Sequence, residues 1–114
     1  MDIDKIQKRL REFSADRDWE QFHNPKNLTM ALSVEVSELL EIFQWSKSGG
    51  LDEINDKKIK KEIEREIADV FNYIIRLSDI LNIDLESVAH NKIDENELKY
   101  PIEEFKGSSR KYNK

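Results

Sequence analysis

Apolar side chains return every three or four residues along most of this chain, a spacing that suits amphipathic helices and little else. Ile3, Ile6, Leu10 and Phe13 set the first period, so residues 2–15 are expected to form a helix. The Asn24-Pro25 pair signals a turn, and Asn27 is a candidate cap for a second helix over about 28–46, which the segment SKSGGLD closes. A third helix, over roughly 53–81, has an inner face of Ile59, Ile63, Ile67, Val70, Phe71, Ile74, Leu77 and Leu81. Its first half mixes signs at i,i+4 spacing, which reads as a solvated outer face. Asp84 is the expected cap of a fourth helix carrying Leu85, Val88, Ala89 and Ile93 and fading near residue 97. The tail YPIEEFKGSSRKYNK has no long period and reads as extended or irregular. Two Pro and three Gly leave few turns for an all-β fold. The expectation is therefore an all-α, four-helix-bundle-like subunit with an irregular C-terminal tail. With 114 residues and no repeat, residues 1–114 are expected to make a single domain.

The second helix carries an anomaly. Plotted at about 100° per residue, Leu28, Ala31, Leu32, Val36, Leu39, Ile42 and Phe43 share one face. Glu35 falls in the middle of that face and Glu38 on its edge. A buried carboxylate is costly unless it is neutralised, paired or bound to a cation. The third helix repeats the pattern: Glu66 and Asp69 are spaced i,i+3, as Glu35 and Glu38 are, with Glu66 bordering the apolar stripe. In a chain with 24 acidic residues a lone pair of this kind is ordinary surface. Two such pairs, one central on an apolar face, are less so. If the two helices are antiparallel neighbours, four carboxylates meet, and like charges that close cannot all ionise unaided. Magnesium answers this economically, since it takes hard oxygen ligands and leaves positions for water and phosphate. Lys92 and Asn96, aligned with Leu85 and Ala89, and Tyr100 one turn later, offer a cation, an amide and a phenol suited to a phosphate chain.

Other classes are excluded more simply. A net charge of −5 argues against a nucleic-acid partner. The absence of cysteine removes disulfides, thiolate zinc sites and cysteine nucleophiles, and His23 and His90 are too far apart in sequence to suggest an imidazole metal site. No apolar run approaches the roughly 20 residues of a membrane span. The N-terminus MDIDKIQKRL lacks the apolar stretch of a signal peptide. A cytoplasmic protein with no membrane partner is expected.

The stretches RDWEQFHNPKNL (17–28), EVSELLEIFQW (35–45), EIADVFNYIIRL (66–77), NKIDENELKYP (91–101) and GSSRKY (107–112) together resemble the MazG-like all-α nucleoside triphosphate pyrophosphohydrolases, and more narrowly their dCTP pyrophosphatase branch. The resemblance implies a magnesium-dependent helical enzyme, with manganese able to substitute. It would release the nucleoside monophosphate and pyrophosphate as a house-cleaning activity on dCTP or modified dCTP. Position by position, it implies that Glu35, Glu38, Glu66 and Asp69 are metal ligands and catalytic carboxylates. Lys92, Asn96 and Tyr100 would hold the triphosphate, with Arg110, Lys111 and Tyr112 closing over it. Trp19 and Trp45 would flank the base, and Tyr73 would line the site. One position departs: Leu10 stands where relatives carry a histidine near the base pocket, which leaves base preference open. A homo-oligomer is expected, a tetramer ahead of a dimer. The alternatives are a broad (d)NTP or dUTP pyrophosphatase, and a non-catalytic helical interaction module.

Overall fold

A computed structural model of the chain describes residues 1–108, and the regular elements among them are all helical. In order these are α1 (Ile3–Asp16), α2 (Pro25–Phe43), α3 (Lys57–Ile80), α4 (Leu85–Lys99) and α5 (Ile102–Phe105), with 3₁₀ turns at Glu20–Phe22 and Leu51–Glu53. The all-α expectation holds, and none of the described helices is long and apolar enough to cross a membrane.

Side-chain caps account for where the helices begin. The Asp2 carboxylate accepts the Lys5 N–H at 3.0 Å and opens α1. Helix α2 starts three residues earlier than the period suggests, because Asn24 rather than Asn27 is its cap, accepting the Asn27 N–H at 2.8 Å. Pro25 explains the shift: its ring suits the first helical position, where an N–H would go unused, and it keeps the preceding residue extended. Asn27 instead donates through Nδ2 to the Phe22 carbonyl at 2.9 Å. Asp56 caps α3 by accepting from the Lys58 N–H, so residues 53–56, expected inside the helix, belong to the link before it. In that link the Glu53 carboxylate accepts from the Ser46 hydroxyl and the Lys47 N–H, and Gly49 takes a φ of +68° that a residue with a Cβ rarely adopts. Asn82, at φ +56°, ends α3 in the left-handed conformation that asparagine tolerates.

The chain divides into two compact units, the first being Met1–Asn82. Within it α3 is the central element and packs on both α1 and α2. Among the described residues Leu28 and Ile75 are the fully buried apolar ones, at 1% and 0% exposure, and Ser14, Arg76 and Ser78 are buried polar ones. The expected inner face of α3 is only partly correct. Ile67 and Leu81 are about half exposed, whereas Ile75, off the expected stripe, is sealed. A helix with neighbours on two sides buries a wider arc than one apolar stripe predicts. Val36, expected on the inner face of α2, is also about half exposed.

In the second unit, the Asp84 carboxylate accepts the Ser87 N–H at 3.2 Å and caps α4. The tail beyond it is not wholly irregular. Pro101 opens the short α5, with Glu103 and Glu104 in its first turn, and the Tyr100 and Phe105 rings meet edge to face at 5.0 Å.

Candidate active site

Packing of α2 against α3 gathers the carboxylates that the sequence singles out. One carboxylate oxygen from each of Glu35, Glu38 and Glu66 lies within 4.8 Å of the others. Glu35 and Glu38 project from one side of α2 because i and i+3 positions are neighbours on a helix. The hydroxyls nearest them in sequence are spent on their own helix, Ser33 bonding to the Met30 carbonyl and Ser37 to that of Ser33. Oε2 of Glu35 and Oε2 of Glu66 are buried and lack a hydrogen-bond partner among the described residues. Burial first, then the neighbouring Glu38 and the charge of Asp69, pushes the Glu35 carboxyl up to about 7. Glu66 is raised for the same first reason, followed by Glu38. The ion pairs among the described residues lie elsewhere, on Asp79 and Glu95. Buried oxygens without partners cost free energy in the isolated chain. Three hard oxygen donors this close, without a paired lysine or arginine among the described residues, fit a divalent cation.

Asp69, the fourth carboxylate, stands outside that group of three but acts on it electrostatically, raising Glu35, Glu66 and Tyr73. It also lines a cavity of about 540 Å³ within the first unit. The α1 wall of this cavity is Ile6, Arg9, Leu10 and Phe13; Trp19 and His23 come from the segment leading to α2; Asn72, Tyr73 and Arg76 continue from Asp69 along α3. Residues 69, 72, 73 and 76 form one i,i+3,i+4,i+7 stripe, which is why a single helix supplies that whole wall. Phe13 and Trp19 pack edge to face with centroids 5.7 Å apart, and Trp19 meets His23 at 6.5 Å. A volume of this size accommodates a small organic ligand such as a nucleoside.

Around Arg76 the cavity lining is polar and fixed. Arg76 is 8% exposed; its Nε donates to His23 Nδ1 at 3.1 Å, and its Nη1 lies 3.6 Å from Asp79. Arg11 of α1 clamps Asp79 through two bonds, at 2.6 and 2.5 Å. That bidentate pair holds the Asp79 carboxyl below the usual range. Burial and the Arg76 charge lower the His23 pKa, which favours the neutral imidazole. Since Nδ1 accepts from Arg76, the proton of His23 sits on Nε2.

The remaining expected residues are distributed as follows. Trp19 and Tyr73 line the cavity, whereas Trp45, just past α2, is 85% exposed and does not. Lys92 and Asn96 lie on α4 and Tyr100 follows it, all in the second unit; there Lys92 pairs with Glu95 at 3.3 Å. Arg110, Lys111 and Tyr112 lie outside the described residues. Sequence reasoning set His23 aside and passed over Asn72 and Arg76. The available signal was Arg76 itself, a lone cation in the apolar run VFNYIIRL, seven residues after Asp69 on the same stripe.

Comparison with known proteins gives a consistent picture. Residues 30–114 match the family model described as the MazG-like family. The chain is 38% identical over 112 residues to dCTP pyrophosphatase 1 of Homo sapiens, and 38% identical over 111 residues to that of Rattus norvegicus. Each alignment covers 96% of this chain and 65% of the relative, so the chain spans 65% of the length of these proteins. The crystal structure of a pyrophosphatase from Archaeoglobus fulgidus is similar at a TM-score of 0.78 and 40% identity, covering 89% of this chain and 94% of that one.

Proposed function

The chain belongs to the MazG-like family, and from that membership we propose that it is a magnesium-dependent nucleoside triphosphate pyrophosphohydrolase. Its substrate is dCTP or a modified dCTP, its products are the monophosphate and pyrophosphate, and its role is cytoplasmic house-cleaning of the nucleotide pool. The names of the relatives support the substrate class. The observation that carries the reading is the acidic cluster, with two buried oxygens that lack a partner among the described residues, together with a cavity of nucleoside size lined by Asp69, whose charge acts on that cluster.

In this reading Glu35, Glu38, Glu66 and Asp69 hold magnesium, or manganese in its place. When bound, the cation neutralises phosphate oxygens and makes water a better nucleophile. The protein's own part is positioning and charge, with no covalent nucleophile required. The carboxylates also orient the attacking water. Trp19 offers a face for the base, and the apolar α1 wall excludes solvent around it. Tyr73, whose hydroxyl is held protonated by burial and by the nearby Glu35 and Asp69 charges, acts as a donor between the acidic end and the base. Lys92, Asn96 and Tyr100 bind the triphosphate, joined by Arg110, Lys111 and Tyr112. Trp45, exposed in the single chain, belongs to the base site through contact with another copy. That assignment accords with a homo-oligomer, a tetramer ahead of a dimer.

A panel of nucleoside triphosphates with magnesium tests the reading, using wild-type protein and Glu38→Gln. Turnover fastest for dCTP, and lowered about 10²–10³-fold in a variant that stays folded, is expected. A folded wild-type protein that turns over none of the panel would refute it and favour an interaction module instead.

A further inference from the structure

Stacking on Trp19 and contact with Ile6, Leu10 and Phe13 would hold any base, because every base has a π-face. Discrimination needs a polar group fixed in place before the ligand arrives. Of the two cavity arginines, Arg9 is exposed on α1 and makes no hydrogen bond or ion pair among the described residues. Arg76 differs: it is buried, its Nε is tied to His23, and it lies beside an Asp79 that Arg11 clamps from the other side. The 3.6 Å separation from Asp79 is too long for a hydrogen bond, so the terminal N–H groups of Arg76 are without one among the described residues. The cavity that Arg76 lines is where they can find one.

Position along α3 supports a role at the base. Seven residues separate Asp69 from Arg76, a rise of about 10 Å. That spacing leaves room for a sugar between a phosphate at the acidic end and a base at the other. Resting on the pyrophosphohydrolase reading, we propose that Arg76 selects the base by donating to an adjacent pair of acceptors on its edge. Among the pyrimidines cytosine alone presents such a pair, N3 and O2, since uracil and thymine carry a proton on N3. Arginine suits this task because its planar fork matches paired acceptors, and lysine does not reproduce it. His23 and Asp79 are positioning residues that hold the fork.

The test compares kcat/KM for dCTP with that for deoxyribose 5′-triphosphate lacking a base, in wild type, Arg76→Ala and Arg76→Lys. The ratio of the two values is expected to fall about 10- to 100-fold in both variants. A merely structural role would lower both substrates together and leave the ratio unchanged, which would overturn the proposal. The lysine variant keeps a charge beside Asp79 and carries the test if the alanine variant does not fold. Calorimetry with deoxycytidine and deoxyuridine, in EDTA, separates this proposal from the enzymatic one. A wild-type preference for deoxycytidine that vanishes in Arg76→Lys supports it even if no triphosphate is hydrolysed. No preference in wild type, or one that survives the substitution, overturns it.

Discussion

At the residue scale, Glu35 shows how a functional group can be read from its cost. A carboxylate raised to about 7 by burial and by like charges is a stored penalty in the metal-free protein. The sign of its effect on stability is opposite to that of a salt-bridged acid. The folded state binds this proton more tightly than the unfolded state does, so stability is fullest below the ordinary pKa of 4.5 and is lost as pH rises through about 7. The Tm of the protein in EDTA should therefore fall between pH 5 and pH 8 by more than in Glu35→Gln, and magnesium should remove the excess. Equal slopes in the two proteins would contradict this. Relief of repulsion should also make Glu35→Gln more heat-stable than wild type in EDTA at pH 8, by about 3–6 °C, and unable to respond to magnesium. Sequence made this residue legible because a charge in mid-stripe breaks a pattern. Arg76 broke a similar pattern on α3 and was missed, because a long cationic side chain is ordinarily assumed to reach solvent. Only packing shows that its guanidinium is held by His23 and Asp79.

At the element scale, period and type were legible, but depth and ends were not. The apolar spacing gave α1 to α4 because backbone geometry converts sequence spacing directly into a face. The start of α2 moved because Pro25 decides between Asn24 and Asn27 as cap, a local competition that periodicity does not register. Asn24→Ala should cost about 1 kcal/mol in denaturant unfolding, and Asn27→Ala should not act as a cap deletion. The sealed position Ile75 was hidden because it depends on α3 having neighbours on two sides. Ile75→Ala should cost about 2–4 kcal/mol by the same measurement, through lost burial and the cavity left behind. A loss under about 1 kcal/mol would mean that this position is not the core of the unit. The short α5 escaped notice because one helical turn after a proline carries no period.

At the scale of the whole molecule, the division into two units and the surface of the first both bear on assembly. Met30, Val34, Val36 and Leu40 of α2 are each about half exposed or more in the single chain, a concentration of apolar surface that monomeric proteins rarely leave to water. Leu40→Glu should shift the particle mass measured by light scattering toward smaller species, whereas a wild-type monomer would contradict the proposed oligomer. The acidic cluster lies within one unit, but the expected triphosphate ligands Lys92, Asn96 and Tyr100 belong to the other. The roles proposed for those three residues rest on the sequence resemblance, which covers nearly the whole chain; helical spacing alone does not carry them. The central claim is that carboxylates set on apolar helix faces make a cation site for splitting a triphosphate into monophosphate and pyrophosphate. Phosphorus NMR of dCTP incubated with the protein and magnesium tests it most directly. Deoxycytidine monophosphate and pyrophosphate should appear in equal amounts and stop on addition of EDTA. Orthophosphate with the diphosphate, or products that keep forming in EDTA, would contradict it.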